Sequence, residues 1–575
     1  MDLTYNFKKM KKIKFYIAIV GLSLAAGSCQ ADFLDVAPEN VISENNLDLD
    51  QLVVSAYSTL DYRYNTGEFR DNWPFDHAPS NWCFSDIRSG DAYKGGGGVG
   101  DNPGGGMHGL EIQQVFSSSE NVYNLWRALY FSINRVNSAI IALKNNSEFE
   151  KKDLRIAEMK VLRAHFYFEL MKNFGSFAYI DENTPIDKVT SIENSFDTAF
   201  LWSKIEKDLT DAIAVLPDTQ QELGRVNKLV AYAFLAKANL FQKKWDQVII
   251  NADKVIEGPY SLVSDLEKLY SSPGYGNPEN VFAIQYSVND GSEFGNLNFG
   301  DLINSPDSPS DDPNHPYLNG DDFDKPTQNI VNAFKVDDVG LPLLDSYNNS
   351  DLAPTDVTTA VDPRLDHSIG RPGITWKKWQ GMPQQTNWSR DPATYGLYLR
   401  KKNQIDPYSD LRASGGFPWA KGALDWPIIK ISDVMLWKAE ASIELNDVET
   451  GMTIINQIRN RAKNAPYVYD FNNHANNAAN YSIGLYPTTG ISKAYATKAL
   501  RMERRLELHN EGHHFYDLVR WGIASIWIND YMLKESAKRK YYSGASFTEG
   551  RDEYLPIPQI EIDASGGVYK QRTGY

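Results

Sequence analysis

Apolar residues recur at helical spacing through two separate blocks of this chain. Leu52, Val53, Ala56 and Leu60 predict a first short helix over 47–63. Leu125, Leu129, Ile133, Val136 and Ile140 then form a stripe from about Glu120 to Lys144. Further helices are expected at 152–173, ending before Gly175, and at 198–215, stopped by Pro217. Two more, at 228–242 and 245–256, make a sharper unit: helix, short polar turn with an aromatic, then a helix with small residues at packing positions. That is the plan of a tetratricopeptide repeat, and Leu436–Ala462 repeats it. Such pairs bury their faces only against neighbours, so the blocks before 258 and after 432 should pack into one scaffold.

The intervening stretches follow other rules. Residues 65–118 are rich in Gly, Asn, Asp and Trp, and read as a long loop of the kind that usually carries function. Within them the run Gly95–Gly106 contains a formal GxGxxG at Gly95, Gly97 and Gly100. No apolar strand leads in and no apolar helix leads out, so a flexible surface loop is the better reading than a nucleotide cradle. Residues 258–427 are rich in Pro, Asn, Asp and Gly, with short alternating runs such as Asn280–Ser287, and predict an irregular lobe of short strands and hairpins inserted between the helical blocks. Residues 465–490 and 538–552 read as further polar loops.

Charge and composition narrow the partners. The 575 residues carry a net charge of −16, and after the N-terminus no long Lys/Arg run remains, which argues against nucleic acid. The N-terminus itself is informative. Lys8, Lys9, Lys11, Lys12 and Lys14 precede a short apolar run, Phe15–Ala26, and then Gly27-Ser28-Cys29. This reads as a secretory signal over 1–28, too short to span a bilayer, with Cys29 as a lipidated N-terminus and 29–50 as a tether. With Cys29 so used, Cys83 has no partner for an intrachain disulfide. The mature chain is then tethered to a membrane and not embedded in it.

Arg501–Gly522, RMERRLELHNEGHHFYDLVRWG, holds the densest charge in the chain. It predicts two helices around a turn, the first stopping near Glu511 with Gly512 as the left-handed residue. His509, Glu511 and His513 suggest a metal set, but Gly512 breaks the helix between them, so a salt-bridged helix pair is the preferred reading. This stretch resembles the C-terminal signature of the SusD/RagB family, surface glycan-binding lipoproteins of Bacteroidetes outer membranes. CQADFLDVAP at Cys29, RAHFYFELMKNFG at Arg163, VDPRLDHSIGRP at Val361, WPIIKISDVMLWKAEASIELND at Trp426 and YLPIPQIEID at Tyr554 agree with it. The resemblance implies a mainly α fold over 51–575, one SusD-like domain: helical repeats at about 120–257 and 432–530, and an irregular ligand-binding lobe at about 65–118 and 258–427. It also implies capture of an oligosaccharide or polysaccharide at the cell surface and a SusC-like TonB-dependent barrel as partner.

The candidate chemistry follows. Sugars offer flat C–H faces and hydroxyl edges, which aromatic rings and short polar groups hold together. Trp73, Trp82, Asp86, Arg88 and Tyr93 supply that combination in the first loop. Trp376, Trp379, Trp388 and Tyr395 supply it in the middle lobe, with Arg364 nearby. With 74 acidic residues, close carboxylate pairs are inevitable and none stands out, so no catalytic constellation is assigned. No cofactor is expected; the Asp307–Asp324 region offers a structural Ca²⁺ as the one alternative. Two other functions stay open: a surface glycoside hydrolase, and a RagB-like relative that captures peptides.

Overall fold

The computed structural model describes residues 48–62, 74–102, 106–271, 276–288, 290, 296–307, 320–377, 382–406, 409–413 and 422–575. The chain divides into two compact units, Met1–Gln51 and Leu52–Tyr575. Of the first, residues 48–51 are described, in the opening turn of helix α1 (Leu49–Tyr57). Cys29 lies outside the described residues, as do Trp73, Trp379, Asp311 and Asp312.

The second unit is mainly helical. Helices α2 (Glu120–Asn145), α3 (Lys152–Phe174), α4 (Thr198–Ile213), α5 (Lys228–Phe241) and α6 (Trp245–Ile256) stack each on the next. α7 (Ile431–Glu444) then packs on α5 and α6, and α8 (Val448–Asn464) and α9 (Lys493–Glu507) continue the stack. The repeats therefore form one scaffold that runs across the middle segment. Local chemistry sets the helix ends. Asp197, Asn227, Asp447 and Ser492 each accept a backbone N–H from the first turn of α4, α5, α8 and α9. Gly175, at φ 63°, ends α3.

The middle segment is closed at its base. Strand Asn280–Ile284 pairs with Trp426–Lys430, so the start and end of the lobe are joined by a two-stranded ladder. The short alternating run at 280–287 does form a strand, and its partner lies far along the chain. Three further two-stranded sheets are described: Ala92–Gly95 with Phe323–Pro326, Ile369–Gly370 with Leu399–Arg400, and Tyr469–Asp470 with Asn473–Asn477.

The first loop region is more ordered than its composition suggests. Asp86–Ser89 and Met107–Glu111 are short helices and Ala92–Gly95 is a buried strand. The described part of the glycine run is no free loop. Lys94 Nζ donates to the carbonyls of Gly95 at 2.8 Å and Gly98 at 3.0 Å, and to that of Asp101. Arg390 clasps it from the other side through Asp101 at 3.1 Å.

The charge-dense C-terminal stretch is an ionic centre. α9 ends at Glu507, four residues earlier than expected, because Asn510 (φ 58°) and Gly512 (φ 72°) both turn left-handed. α10 (His514–Arg520) follows. Glu503 accepts from Arg364 at 2.6 Å and Arg459 at 3.1 Å. Glu507 accepts from Arg364 at 3.1 Å and from Arg461, and Arg461 also meets Glu279 at 3.1 Å. Glu511 sits between Lys402 and Lys430. Arg504 ties α9 to Asp433 of α7 at 2.7 Å and to Asp517 of α10 at 2.8 Å. Burial alone would raise Glu507, but Arg461, Lys430, Arg364 and Lys402 hold it down at about 2.

His509, which is buried, and His513, which is half-buried, are uncharged. Burial pushes His509 and His513 down to about 3, and His165 to about 4, from the ordinary 6.5. In the unfolded chain all three take up protons below pH 6.5, and in the folded chain they do not, so acid favours unfolding. Asp324 opposes this: burial raises it to about 6, so the folded state gains that proton first. Each histidine weakens the fold by up to about 1.4 kcal/mol per pH unit. The net expectation is a loss on the order of 2–3 kcal/mol between pH 6 and pH 5. Urea titrations at the two values measure it; an unchanged midpoint would mean that these rings are solvated.

Candidate functional site

The described residues proposed from sequence as sugar ligands are all buried. Trp82, Asp86, Arg88, Tyr93, Arg364, Trp376, Trp388 and Tyr395 are each 2% exposed or less. Most of their polar atoms serve the fold, while the Trp376 indole N–H and the Tyr395 hydroxyl are buried without a hydrogen-bond partner among the described residues. Trp82 donates its indole N–H to Gly300 O at 3.2 Å. Asp86 accepts the Gly512 N–H at 3.2 Å, and Arg88 lies 3.9 Å over the Phe515 ring and donates to Asp552 O at 2.5 Å. Arg364 is spent on Asp362, Glu503 and Glu507. Trp376 and Trp388 pack edge to face at 5.5 Å in a cluster with Leu399, and Tyr395 packs between Tyr93 and Tyr541. Large rings stabilise an irregular lobe best from inside, and here that use wins over stacking on ligand. The structure brings Tyr93 and Tyr395 together, but as core.

Tyr93 nevertheless leads to the candidate site, because it lies one layer beneath a cleft. Its hydroxyl donates to Glu535 Oε2 at 3.0 Å and accepts the Gln328 N–H at 3.4 Å. Gln328 and Glu535 both line an open cleft of about 320 Å³. One wall is the short helix Gln328–Ala333 with Tyr347, Asn348 and Asp351. The other is α11 (Ala524–Ser536), with Trp527, Asp530, Tyr531 and Lys534.

Four amides on the first wall, Gln328, Asn329, Asn332 and Asn348, form a connected network. Asn332 Nδ2 donates to Asn348 Oδ1 at 2.9 Å and Asp351 Oδ1 at 3.0 Å. Asn332 Oδ1 accepts from Gln328 at 2.8 Å and from the Leu352 N–H at 2.9 Å, and Asn348 donates to Asn329. Each amide is thus oriented before a ligand arrives. Trp527 and Tyr347 are half-buried rings on opposite walls. Arg505 lies between and beneath them, 5.0 Å and 5.6 Å from the two ring centroids. It donates to the Tyr347 hydroxyl at 3.2 Å and is held by Asp91 at 2.6 Å. Burial would raise Asp91, but Arg505 and His514 overturn that and keep it well below the ordinary carboxylate range. The rim lysines are neutralised in place, Lys534 by Asp530 at 2.6 Å and Lys538 by Asp351 at 2.7 Å. The cleft therefore offers rings and amides with no lysine left over for an anion.

Sequence reasoning missed Trp527 and the amides. A signal was present in the amide clusters QNIVN at 328–332 and YNN at 347–349, but nothing in the chain order sets them opposite 527–538. Of the residues weighed for metal, Glu511 is engaged by two lysines, Asp322 by Lys325 at 2.8 Å and Asp324 by Arg400 at 2.9 Å, while both ring nitrogens of His509 are buried without a hydrogen-bond partner among the described residues. Among the described residues no group of three His, Cys, Asp or Glu is placed to hold a metal ion. Among them, too, no helix is long and apolar enough to cross a membrane.

Comparison with known proteins adds the wider setting. A profile described as starch-binding and associating with the outer membrane matches residues 32–240. SusD-like protein P25 of Formosa agariphila is 21% identical, with 96% of this chain and 97% of that protein aligned. SusD-like protein P2 of the same organism is 23% identical, over 81% and 83%. Among solved structures, a laminarin-binding SusD-like protein superposes with a TM-score of 0.64 at 22% identity, covering 92% of this chain and 99% of that one. Surface glycan-binding protein A from Bacteroides thetaiotaomicron, solved with laminarihexaose, gives 0.65 at 19%, covering 91% and 98%. These likenesses carry the fold, a helical tetratricopeptide-like scaffold. The profile of the SusD family matches residues 278–575, the part that holds both the ionic centre and the cleft, and the chain belongs to that family.

Proposed function

We propose that this chain is a non-catalytic glycan-binding protein whose cleft between Gln328–Asp351 and Trp527–Lys538 takes a neutral oligosaccharide. The observation that carries the reading is the cleft itself: it is lined by two half-buried rings on opposite walls and by the half-buried amides of Gln328 and Asn348, which buried Asn332 and Asn329 hold in place, and every rim lysine is already paired. Rings suit the apolar faces of a sugar and amides suit its hydroxyl edges. Relatives named for glycan binding, one of them solved with laminarihexaose, support the same class of ligand. On this reading lipid on Cys29 anchors the chain at the outer membrane, facing outward, and bound sugar passes to a TonB-dependent barrel.

Calorimetry and affinity gels against laminarin, starch, xylan and fructan test it. Trp527→Ala should weaken binding of whichever glycan is bound by about tenfold, equivalent to roughly 1.4 kcal/mol, while Trp527→Phe keeps most of it. A Trp527→Ala protein that melts like the parent and binds equally well would remove the cleft from the reading. Peptide binding with no glycan binding would favour the RagB-like alternative, since amides also pair with peptide backbone. Release of reducing sugar would make the protein an enzyme.

A further inference from the structure

We infer that the hairpin at 467–481 is a second, separate contact surface for a polysaccharide chain; this rests on the glycan-binding reading above. None of its residues lines the cleft. The segment YVYDFNNHANNAANY combines Tyr467, Tyr469, Phe471, His474 and Tyr481 with five asparagines, and contains no Lys, Arg or Glu. Alternation along the strand sets its faces: Val468 is buried at 7%, while Tyr467 and Tyr469 on either side are half-exposed. Phe471, at the turn, is 39% exposed. Asn472, Asn473, Asn476, Asn477 and Asn480 are all exposed around it.

The surface is held stiffly, which keeps the entropic cost of binding low. Thr375 Oγ1 donates to Tyr469 O at 2.7 Å, and the Val361 N–H donates to Asn480 O at 3.0 Å. Tyr481 donates its hydroxyl to Asp366 Oδ2 at 2.7 Å. The rings meet in pairs, Tyr467 with Tyr481 at 5.5 Å and Tyr469 with His474 at 4.3 Å. The one carboxylate, Asp470, is occupied by the Asn472 N–H at 2.8 Å. A ring-bearing, amide-fringed edge with one carboxylate and no Lys or Arg matches a neutral sugar chain; an anionic polymer would find no counter-charge here. A polymer long enough to leave the cleft would gain a second point of attachment, so the hairpin should raise affinity for long chains and leave short ones unchanged.

The test compares the full chain, Phe471→Ala and Phe471→Trp against whichever of laminarin, starch, xylan or fructan is retained, and against a hexasaccharide of the same sugar. Phe471→Ala should melt like the parent, lose about three- to tenfold in retention by the polymer, and keep its hexasaccharide affinity; Phe471→Trp should restore retention. Unchanged polymer retention in Phe471→Ala would overturn the proposal while leaving the cleft intact. Equal losses for polymer and hexasaccharide would also overturn it, by making the hairpin part of a single site. A parent chain that retains none of the four polymers would defeat the glycan reading and the hairpin proposal together.

Discussion

Gly512→Ala is expected to cost on the order of 4–6 kcal/mol and to leave little folded protein. Two penalties add. The backbone at Gly512 has φ 72°, which costs an L side chain about 1–2 kcal/mol. An added Cβ would also stand 1.9 Å from the carbonyl oxygen of Ser80 and 3.1 Å from Asn81 Cβ. That carbonyl is hard to move, because the next residue, Asn81, donates its N–H to Ala78 O at 2.8 Å and accepts from the Phe84 and Ser85 N–H groups. Gly512 N–H also holds Asp86. Gly490 supplies the control: its φ is 73°, and no atom lies within 4 Å of where an alanine methyl would stand. Gly490→Ala should therefore lose only the conformational part, about 1–2 kcal/mol. Thermal melts of the two variants decide it, and equal melting temperatures would show that Ser80 yields easily.

Arg364→Ala is expected to cost about 3–5 kcal/mol. The guanidinium makes four charge-assisted hydrogen bonds to side chains, to Asp362, Glu503 and Glu507, and all four residues are 1% exposed or less. Removing it leaves three buried carboxylates with Arg459 and Arg461, and at Glu507 also Lys430 and Lys402, as the remaining counter-charges. Arg364→Lys keeps the charge but cannot fork to three partners, so it should recover only part of the loss. Acid provides a signature. Without Arg364, Asp362 loses its main counter-charge, its folded pKa rises, and the folded variant takes up a proton before the unfolded chain does. The deficit in urea midpoint should then narrow from pH 7.5 to pH 5. A deficit equal at both values would mean that Arg364 acts by filling space.

The scaffold was legible because its elements are local. Trp245–Ile256 begins and ends where its apolar stripe and flanking turn require, and the turn residues Lys243 and Asn446 adopt φ 57° and 68° as a tight interhelical link demands. The ion-pair character of 501–522 was legible too, from charge density on a broken helix. The partners were not: Arg505 reaches Asp91 across 414 residues. The same distance problem hid the site. Trp82 looks like a ligand platform in its own loop, and it becomes core only because Gly300, 218 residues on, covers its N–H. Composition found the right neighbourhood and the wrong layer, since Asp91 and Tyr93 hold the cleft from below.

The ionic centre also dictates an order of events in time. Asp91 from the first loop, Arg364 from the middle lobe and Asp433 from α7 all find their counter-charges on α9. Until Arg504 and Arg505 have left the ribosome, those earlier segments carry charges that cannot be sealed from water. The helical stack can form as it is made, but its junction with the lobe must wait for the end of the chain. Closure over such sequence distances is slow, so the nascent protein stays open, and suited to being threaded or held by other factors, until its last helices arrive.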